Sequence, residues 1–113
     1  MVKLLKNHGY RVETAQSAGE ALKKAAQLKP DLIITDIRMP GADGIEIIKR
    51  IRHFNHENKR PRVPEVIITG YIDPRAEKEA EKLGVTDYIH KPFSITEFLN
   101  TVRDKIASVG DTN

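Results

Sequence analysis

Two short apolar runs, each bounded by polar residues, restrict the fold more than any other feature of the sequence. They are residues 31–36 (DLIITD) and 65–70 (EVIITG), and a third run of similar design spans residues 85–91 (VTDYIHK). The first two have continuously apolar centres, as is typical of strands covered by helices on both faces. A stretch with helical period follows each run, so the sequence predicts an α/β domain built on a parallel sheet.

The three helical stretches have apolar stripes with the spacing of amphipathic helices. The stripes are Ile45, Ile47, Ile48 and Ile51 after the first run, Ala76, Ala80 and Leu83 after the second, and Ile95, Phe98, Leu99, Val102 and Ile106 after the third. Ser94, followed by Glu97 three positions later, predicts a capping box at the start of the last helix.

The residues before the first run predict two more helices and a strand. Residues 2–7 are predicted to be the end of a helix that stops at Gly9, and residues 11–15 (RVETA) alternate like a short strand. Ser17 and Glu20 form the pattern of a second capping box, which opens a helix that Pro30 ends.

Length and composition predict one folded domain. The chain has 113 residues, 39% hydrophobic and 31% charged, and has no apolar run long enough to span a bilayer. We expect the domain to occupy residues 1–109, with residues 110–113 as a tail or the start of a linker. The absence of cysteine excludes disulfides and thiolate metal sites and fits a cytoplasmic protein. The net charge of +3 is only weak evidence for nucleic-acid binding.

Three polar side chains, Asp36, Thr69 and Lys91, follow or end the three predicted strands. Ligands of open parallel sheets bind at the carboxyl ends of the strands, so these side chains are predicted to converge there. A carboxylate, a hydroxyl and an ammonium suit a phosphoryl group. Asp36 would be the nucleophile, Thr69 a hydrogen-bond donor and Lys91 the neutralising charge. Each residue alone is more often a turn former, a strand residue or a solvated side chain; the triplet is what indicates a site.

Three segments resemble the response regulator receiver (CheY-like) domains of bacterial two-component systems. Residues 35–44 (TDIRMPGADG) resemble the family's phosphoacceptor loop, residues 67–70 (IITG) its switch-threonine segment, and residues 87–93 (DYIHKPF) its lysine-proline-phenylalanine motif. The resemblance extends over residues 2–106. The residue sequence of the first motif is most like that of nitrogen-regulator-type transcriptional activators. It implies a flavodoxin-like, doubly wound sheet of order 2-1-3-4-5 and a signalling role that is not enzymatic.

The resemblance also implies roles for individual residues. Asp36 would accept a phosphoryl group from a phosphohistidine on a sensor histidine kinase or a phosphotransfer protein. Thr69 and Tyr88 would act as the switch, and the backbone carbonyl of Arg38 would complete a Mg²⁺ site with Asp36. The Lys91–Pro92 bond would be cis. Partners, or a second copy of the chain, would bind the face formed by residues 76–83, Tyr88 and the last helix, and nucleic acid would be bound only by a separate output domain.

The chain departs from the family pattern at its start. The family's first strand ends in a pair of acidic residues that hold magnesium, whereas this chain is expected to begin in the following helix, as an N-terminally truncated receiver. Before Asp31 the only acids are Glu13 and Glu20, and neither is expected to replace the pair. Mg²⁺ binding is therefore expected to be weak. With strand 1 absent, residues 11–15 are expected to be displaced, to pair with the next strand, or to exchange with a neighbouring chain.

Two alternatives stay open. The first is a truncated receiver or pseudo-receiver that acts as a protein-interaction module without phosphorylation. The second is nucleic-acid binding through a basic cluster, with Phe54 as a stacking aromatic. The cluster consists of Lys49, Arg50, Arg52, Lys59, Arg60 and Arg62.

Overall fold

The computed structural model describes residues 2–39, 42–70, 72–85 and 87–110. The elements are α1 (Val2–Asn7), α2 (Ala18–Leu28), β1 (Ile33–Thr35), β2 (Arg38–Met39), β3 (Ala42–Asp43), α3 (Gly44–Glu57), β4 (Glu65–Thr69), α4 (Pro74–Leu83), β5 (Asp87–His90) and α5 (Ile95–Gly110). The predicted α/β class is confirmed. Among the described helices, none is long and apolar enough to cross a membrane.

The main sheet contains the three strands that the apolar runs predict. Its order is β1-β4-β5 and both pairings are parallel, so the carboxyl ends of all three strands lie at one edge. β2 and β3 form a small antiparallel hairpin directly after Asp36. No feature of the apolar pattern predicted this hairpin.

Helices cover both faces of the sheet. Leu5 of α1 and Phe98 and Val102 of α5 pack on one face, against Val66 and Ile68. The other face is covered by α3 and α4, whose cluster includes Ile45, Ile48 and Ala80 around Ile67. Helix α2 packs on the outside of α3, with Ala25 against Ile47 and Ile51. Because alternate residues of a strand point to opposite faces, the single strand β4 contributes to both layers.

The predicted helix starts are confirmed by their hydrogen bonds. Ser17 accepts a bond from the Glu20 backbone N–H, at 3.1 Å, and Ser94 accepts one from Glu97, at 2.9 Å. Helix α1 ends at Asn7, and Gly9 then adopts a left-handed conformation with φ of 86°.

The strand predicted at residues 11–15 is not formed; this prediction was wrong. These residues are irregular, although Val12 packs against the cluster that contains Leu5. The physical reason is hydrogen bonding: alternation makes a strand only where a neighbouring strand supplies backbone partners, and within the described part of the chain residues 11–15 pair with no strand. Of the three expected outcomes, pairing with the next strand does not occur among the described residues, while displacement and exchange with a neighbouring chain stay predictions.

Candidate functional site

The carboxyl edge of the sheet brings Asp36, Thr69 and Lys91 together. Asp36 directly follows β1, Thr69 ends β4, and Lys91 directly follows β5. The Lys91 Nζ lies 3.9 Å from the Asp36 Oδ2. The Lys91 backbone N–H donates to the Thr69 carbonyl at 2.8 Å, which extends the β4–β5 ladder by one residue. The next peptide bond, Lys91–Pro92, is cis, as the resemblance implies.

The Asp36–Lys91 pair is open to solvent. The two side chains are 32% and 49% exposed, and an ion pair of this kind contributes only about 0–1 kcal/mol to stability. Thr69 is fully buried. A phosphodonor can therefore reach the Asp36 carboxylate, whereas the Thr69 side chain is enclosed in the hydrophobic core.

A contact that the sequence analysis missed fixes the backbone at Asp36. Gly44, the first residue of α3, lies so close that a Cβ added there would be 2.0 Å from the Asp36 carbonyl oxygen. The Thr35 hydroxyl donates to the same oxygen at 3.0 Å, and the Ile37 carbonyl accepts from the Gly44 N–H at 2.8 Å. Only glycine permits this approach. The signal in the sequence was the Asp43-Gly44 pair at the start of a helical stripe.

Tyr88 lies beside this site with its hydroxyl buried. Its side chain packs in the cluster around Ile67, and among the described residues its Oη has no hydrogen-bond partner. Burial raises the pKa of Tyr88, and the negative charges of Glu77, Asp73 and Asp36 raise it further. The phenol is therefore kept neutral, with its hydroxyl in the protein interior.

The residues at this edge fit a dedicated magnesium site poorly. Arg38 opens the hairpin two positions after Asp36, and Pro40 and Gly41 of the same loop lie outside the described residues. Asp43 is engaged as the N-cap of α3, where it accepts from the Ile45 N–H at 2.9 Å. No group of three or more His, Cys, Asp or Glu side chains in the described part of the chain is arranged to hold a metal.

Three side chains of the basic cluster considered for nucleic acid pair with carboxylates, and a fourth covers the aromatic ring of the cluster. Lys49 pairs with Glu79 at 2.6 Å, which raises the pKa of Lys49. Arg50 pairs with Glu46 at 3.3 Å and Arg52 with Glu65 at 2.8 Å. The Arg60 guanidinium covers the ring of Phe54 at 5.0 Å. The ring proposed to stack on bases is thus already stacked on a cation, which disfavours that alternative.

Comparisons with known proteins agree with this geometry. A family model described as the response regulator receiver domain matches residues 1–103. The chain is 38% identical over 104 residues to the transcriptional regulatory protein ZraR of Klebsiella oxytoca, which covers 92% of this chain and 22% of that protein. It is 33% identical over 105 residues to the DNA-binding transcriptional regulator NtrC of Escherichia coli K12, covering 93% of this chain and 21% of that protein. The chain thus spans about a fifth of the length of these relatives.

Solved structures with the same fold include other receivers. A CheY-like receiver domain protein from Methanospirillum hungatei superposes with a TM-score of 0.87 at 24% identity, covering 99% of this chain and 86% of that one. The chemotaxis protein CheY4 of Vibrio cholerae superposes with a TM-score of 0.77 at 31% identity, covering 90% and 82%. The chain therefore belongs to the response regulator receiver family, the signalling modules of two-component systems.

Proposed function

We propose that this domain accepts a phosphoryl group on Asp36 from a phosphohistidine of a sensor kinase or phosphotransfer protein. The receiver fold is in general a signalling module and not an enzyme. The observation that carries the proposal is the position of Lys91 Nζ, 3.9 Å from the Asp36 carboxylate at the carboxyl edge of the sheet.

The residues account for the transfer step. A carboxylate oxygen of Asp36 attacks phosphorus, the phosphorus–nitrogen bond of the donor breaks, and the imidazole leaves with the bonding electron pair and takes up a proton. The product is an acyl phosphate on Asp36. Lys91 stays protonated and offsets the added negative charge, and the Thr69 hydroxyl donates a hydrogen bond to a phosphoryl oxygen.

Magnesium would be held by the Asp36 carboxylate and the Arg38 backbone carbonyl, and it would supply further charge neutralisation. Magnesium usually keeps several waters and takes one or two carboxylates together with phosphate oxygens. We propose that it binds weakly before phosphorylation, when one carboxylate and one carbonyl are offered. Calorimetry that found tight magnesium binding would contradict this.

We propose that partners recognise the phosphorylated state at the face formed by α4, β5 and α5. This face adjoins the site through Tyr88 and carries exposed apolar side chains at two helix starts, Ile72 before α4 and Ile95 in α5. Such residues suit a partner or a second copy of the domain.

The test is the intact mass of the chain after incubation with acetyl phosphate and magnesium. We expect a gain of one phosphoryl group that Asp36→Asn abolishes and that the matched control Asp31→Asn retains, since Asp31 is an exposed carboxylate before β1. Lys91→Gln should slow the gain at least about tenfold, because it removes the neutralising charge. A gain that persists in Asp36→Asn would overturn the assignment.

A second candidate is an interaction module that needs no phosphorylation. It is favoured by one observation: the Asp43 carboxylate, in the same loop as Asp36, is engaged as the N-cap of α3, where it accepts from the Ile45 N–H at 2.9 Å. Nuclear magnetic resonance spectra with the phosphoryl mimic beryllofluoride distinguish the two. Large shifts on α4 and β5 support a phosphorylation switch, and shifts confined to the loop around Asp36 support the second candidate.

A further inference from the structure

The end of the sheet opposite Asp36 carries a cavity of about 300 Å³. It is lined by Arg52, Asn55, His56, Arg60 and Arg62. Glu65 begins β4 beside it and Thr69 ends the same strand, so the cavity and the Asp36 edge are separated by roughly 13 Å of strand. Its volume is at the small end of the range for small-molecule sites.

The charges around the cavity do not balance. Arg52 makes two hydrogen bonds of 2.8 Å to Glu65, and Arg62 lies 3.7 Å from the same carboxylate. Among the described residues that line the cavity there is no acidic side chain. Three guanidinium groups, which cannot be deprotonated in proteins, thus line the cavity, and two of them share the one carboxylate of Glu65. The cavity keeps a positive excess that an anion would neutralise.

Two of the arginines are held in place while most of their donors stay available. Arg60 uses its Nη1, which donates to the Ala26 carbonyl at 2.9 Å, and its plane lies over Phe54. Arg62 uses its Nη2, which donates to the Gly84 carbonyl. In the described part of the chain, the Nε and the other Nη of each guanidinium have no hydrogen-bond partner. Donors fixed in advance lose little entropy when they bind a ligand.

Asn55 also lines the cavity. The residue is only 7% exposed, and its amide is not among the buried polar groups that lack a partner in the described residues. The amide therefore reaches solvent at the cavity wall, where its NH₂ group can donate to a ligand oxygen.

We propose that this cavity binds the phosphate group of a phosphomonoester. Arg60 and Arg62 supply charge-assisted hydrogen bonds, Asn55 supplies a neutral one, and Arg52 is kept in place by Glu65. Phosphate suits the site because its several oxygens match the paired N–H donors of guanidinium groups. The ester is either a small metabolite or a phosphorylated side chain of another protein. The site is separate from Asp36 and does not depend on its phosphorylation.

The test is a titration with inorganic phosphate at constant ionic strength, followed by nuclear magnetic resonance of the Asn55 side-chain NH₂ and the arginine Nε–H signals. We expect saturable shifts of Asn55, Arg60 and Arg62. The Asp36→Asn variant should show the same shifts, so the outcome is independent of the proposed phosphoacceptor function. Adenosine monophosphate and a phosphoserine peptide are the next probes, and the one that binds more tightly than phosphate identifies the source of the ester.

Variants distinguish a specific phosphate site from non-specific attraction of anions. Arg60→Gln should weaken phosphate binding about tenfold, as expected for a lost charge-assisted hydrogen bond, and Asn55→Asp should abolish it by placing a carboxylate in the cavity. The control Arg103→Gln removes the same charge from an exposed position on α5, 67% exposed, and should have no effect. Non-saturable shifts, or an equal loss in Arg103→Gln, would overturn the proposal. If Arg60→Gln does not fold, Asn55→Asp decides the outcome alone.

Discussion

At the scale of single residues, Gly44 and Asp36 make the tightest approach at the candidate site. A methyl group on Gly44 would lie 2.0 Å from the Asp36 carbonyl oxygen, so either α3 or the phosphoacceptor backbone must move to admit it. We expect Gly44→Ala to destabilise the domain by about 1–3 kcal/mol and to slow phosphorylation of Asp36. Urea unfolding and the mass assay measure the two effects.

Gly19 supplies the matched control. It lies in the first turn of α2, and a Cβ added there would meet no atom within 4 Å. Gly19→Ala should leave phosphorylation unchanged and should stabilise the domain by up to about 1 kcal/mol through helix propensity. Equal destabilisation by both substitutions would show that the contact with Asp36 is not the cause.

Tyr88→Phe tests the buried hydroxyl. Because Oη has no partner among the described residues, its removal should be neutral or stabilising, by up to about 1 kcal/mol at neutral pH. Burial raises the pKa of Tyr88 above its usual 10.0. The unfolded chain therefore loses this proton first, and the stability contributed by the neutral phenol is present below about pH 10 and lost as pH rises through the folded pKa.

The measurement is the unfolding free energy as a function of pH. The wild-type chain should lose stability above about pH 10 more steeply than Tyr88→Phe. Tyr10→Phe, which leaves Tyr88 in place, should keep the steeper loss. Parallel curves for the wild type and Tyr88→Phe would refute the proposed effect of burial.

At the scale of elements, a buried ion pair fastens α3 to the start of β4. Glu65 is 1% exposed and accepts two hydrogen bonds from Arg52, which also donates to the Leu83 carbonyl at the end of α4. Glu65→Gln leaves the partly buried Arg52 charge without its counter-charge. We expect a loss of at least about 2 kcal/mol. Thermal and urea unfolding measure it.

The comparison variant is Glu46→Gln, which breaks an exposed pair with Arg50 one helical turn apart on α3. Such a pair contributes only about 0.3–0.5 kcal/mol. Similar losses in the two variants would mean that burial does not set the strength of the Arg52–Glu65 pair.

The elements also show how far the sequence could predict the structure. The runs that became β1 and β4 were predictable because buried parallel strands need continuous apolar centres, β5 followed from its similar design, and two helix starts followed from Ser17 and Ser94. The strand prediction at residues 11–15 was wrong because an alternation of apolar and polar residues forms a strand only when a neighbouring strand supplies its hydrogen bonds. At the site, Asp36 and Lys91 follow from their positions after strands. The Gly44 contact and the cavity around Asn55 depend instead on how closely α3 approaches the end of β1 and on how the chain turns between α3 and β4, which residue patterns do not specify.

At the scale of the whole molecule, the three parallel strands and the helices around them form a compact body. The radius of gyration is 13.6 Å, against about 13 Å expected for a folded chain of this length. One edge of the main sheet, at β1, is left open among the described residues. The Ile33 N–H donates to Pro64 next to β4, so the Ile34 N–H points to the other edge, which no strand in the described residues borders.

We expect this edge to pair with a second copy of the chain as concentration rises, because open strand edges recruit other strands. Sedimentation velocity should show a growing dimer fraction, and hydrogen exchange at the Ile34 amide should slow with it. Raising the salt concentration is the control, since screening weakens association between exposed charges but not backbone pairing. A chain that stays monomeric at every concentration, with unchanged exchange at Ile34, would rule this out.

Strand β4 has all five of its residues buried and contributes to both layers of the core, and its two ends border different sites. This burial has a consequence for which positions of the sequence can change during evolution. Every substitution in residues 65–69 falls on a buried side chain of one layer or the other, so this segment tolerates the fewest changes. Exposed positions such as Ile72 and Ile95 can vary without disturbing the core. Lineages that descend from this sequence can therefore acquire new partners on the helices while they inherit the same central strand.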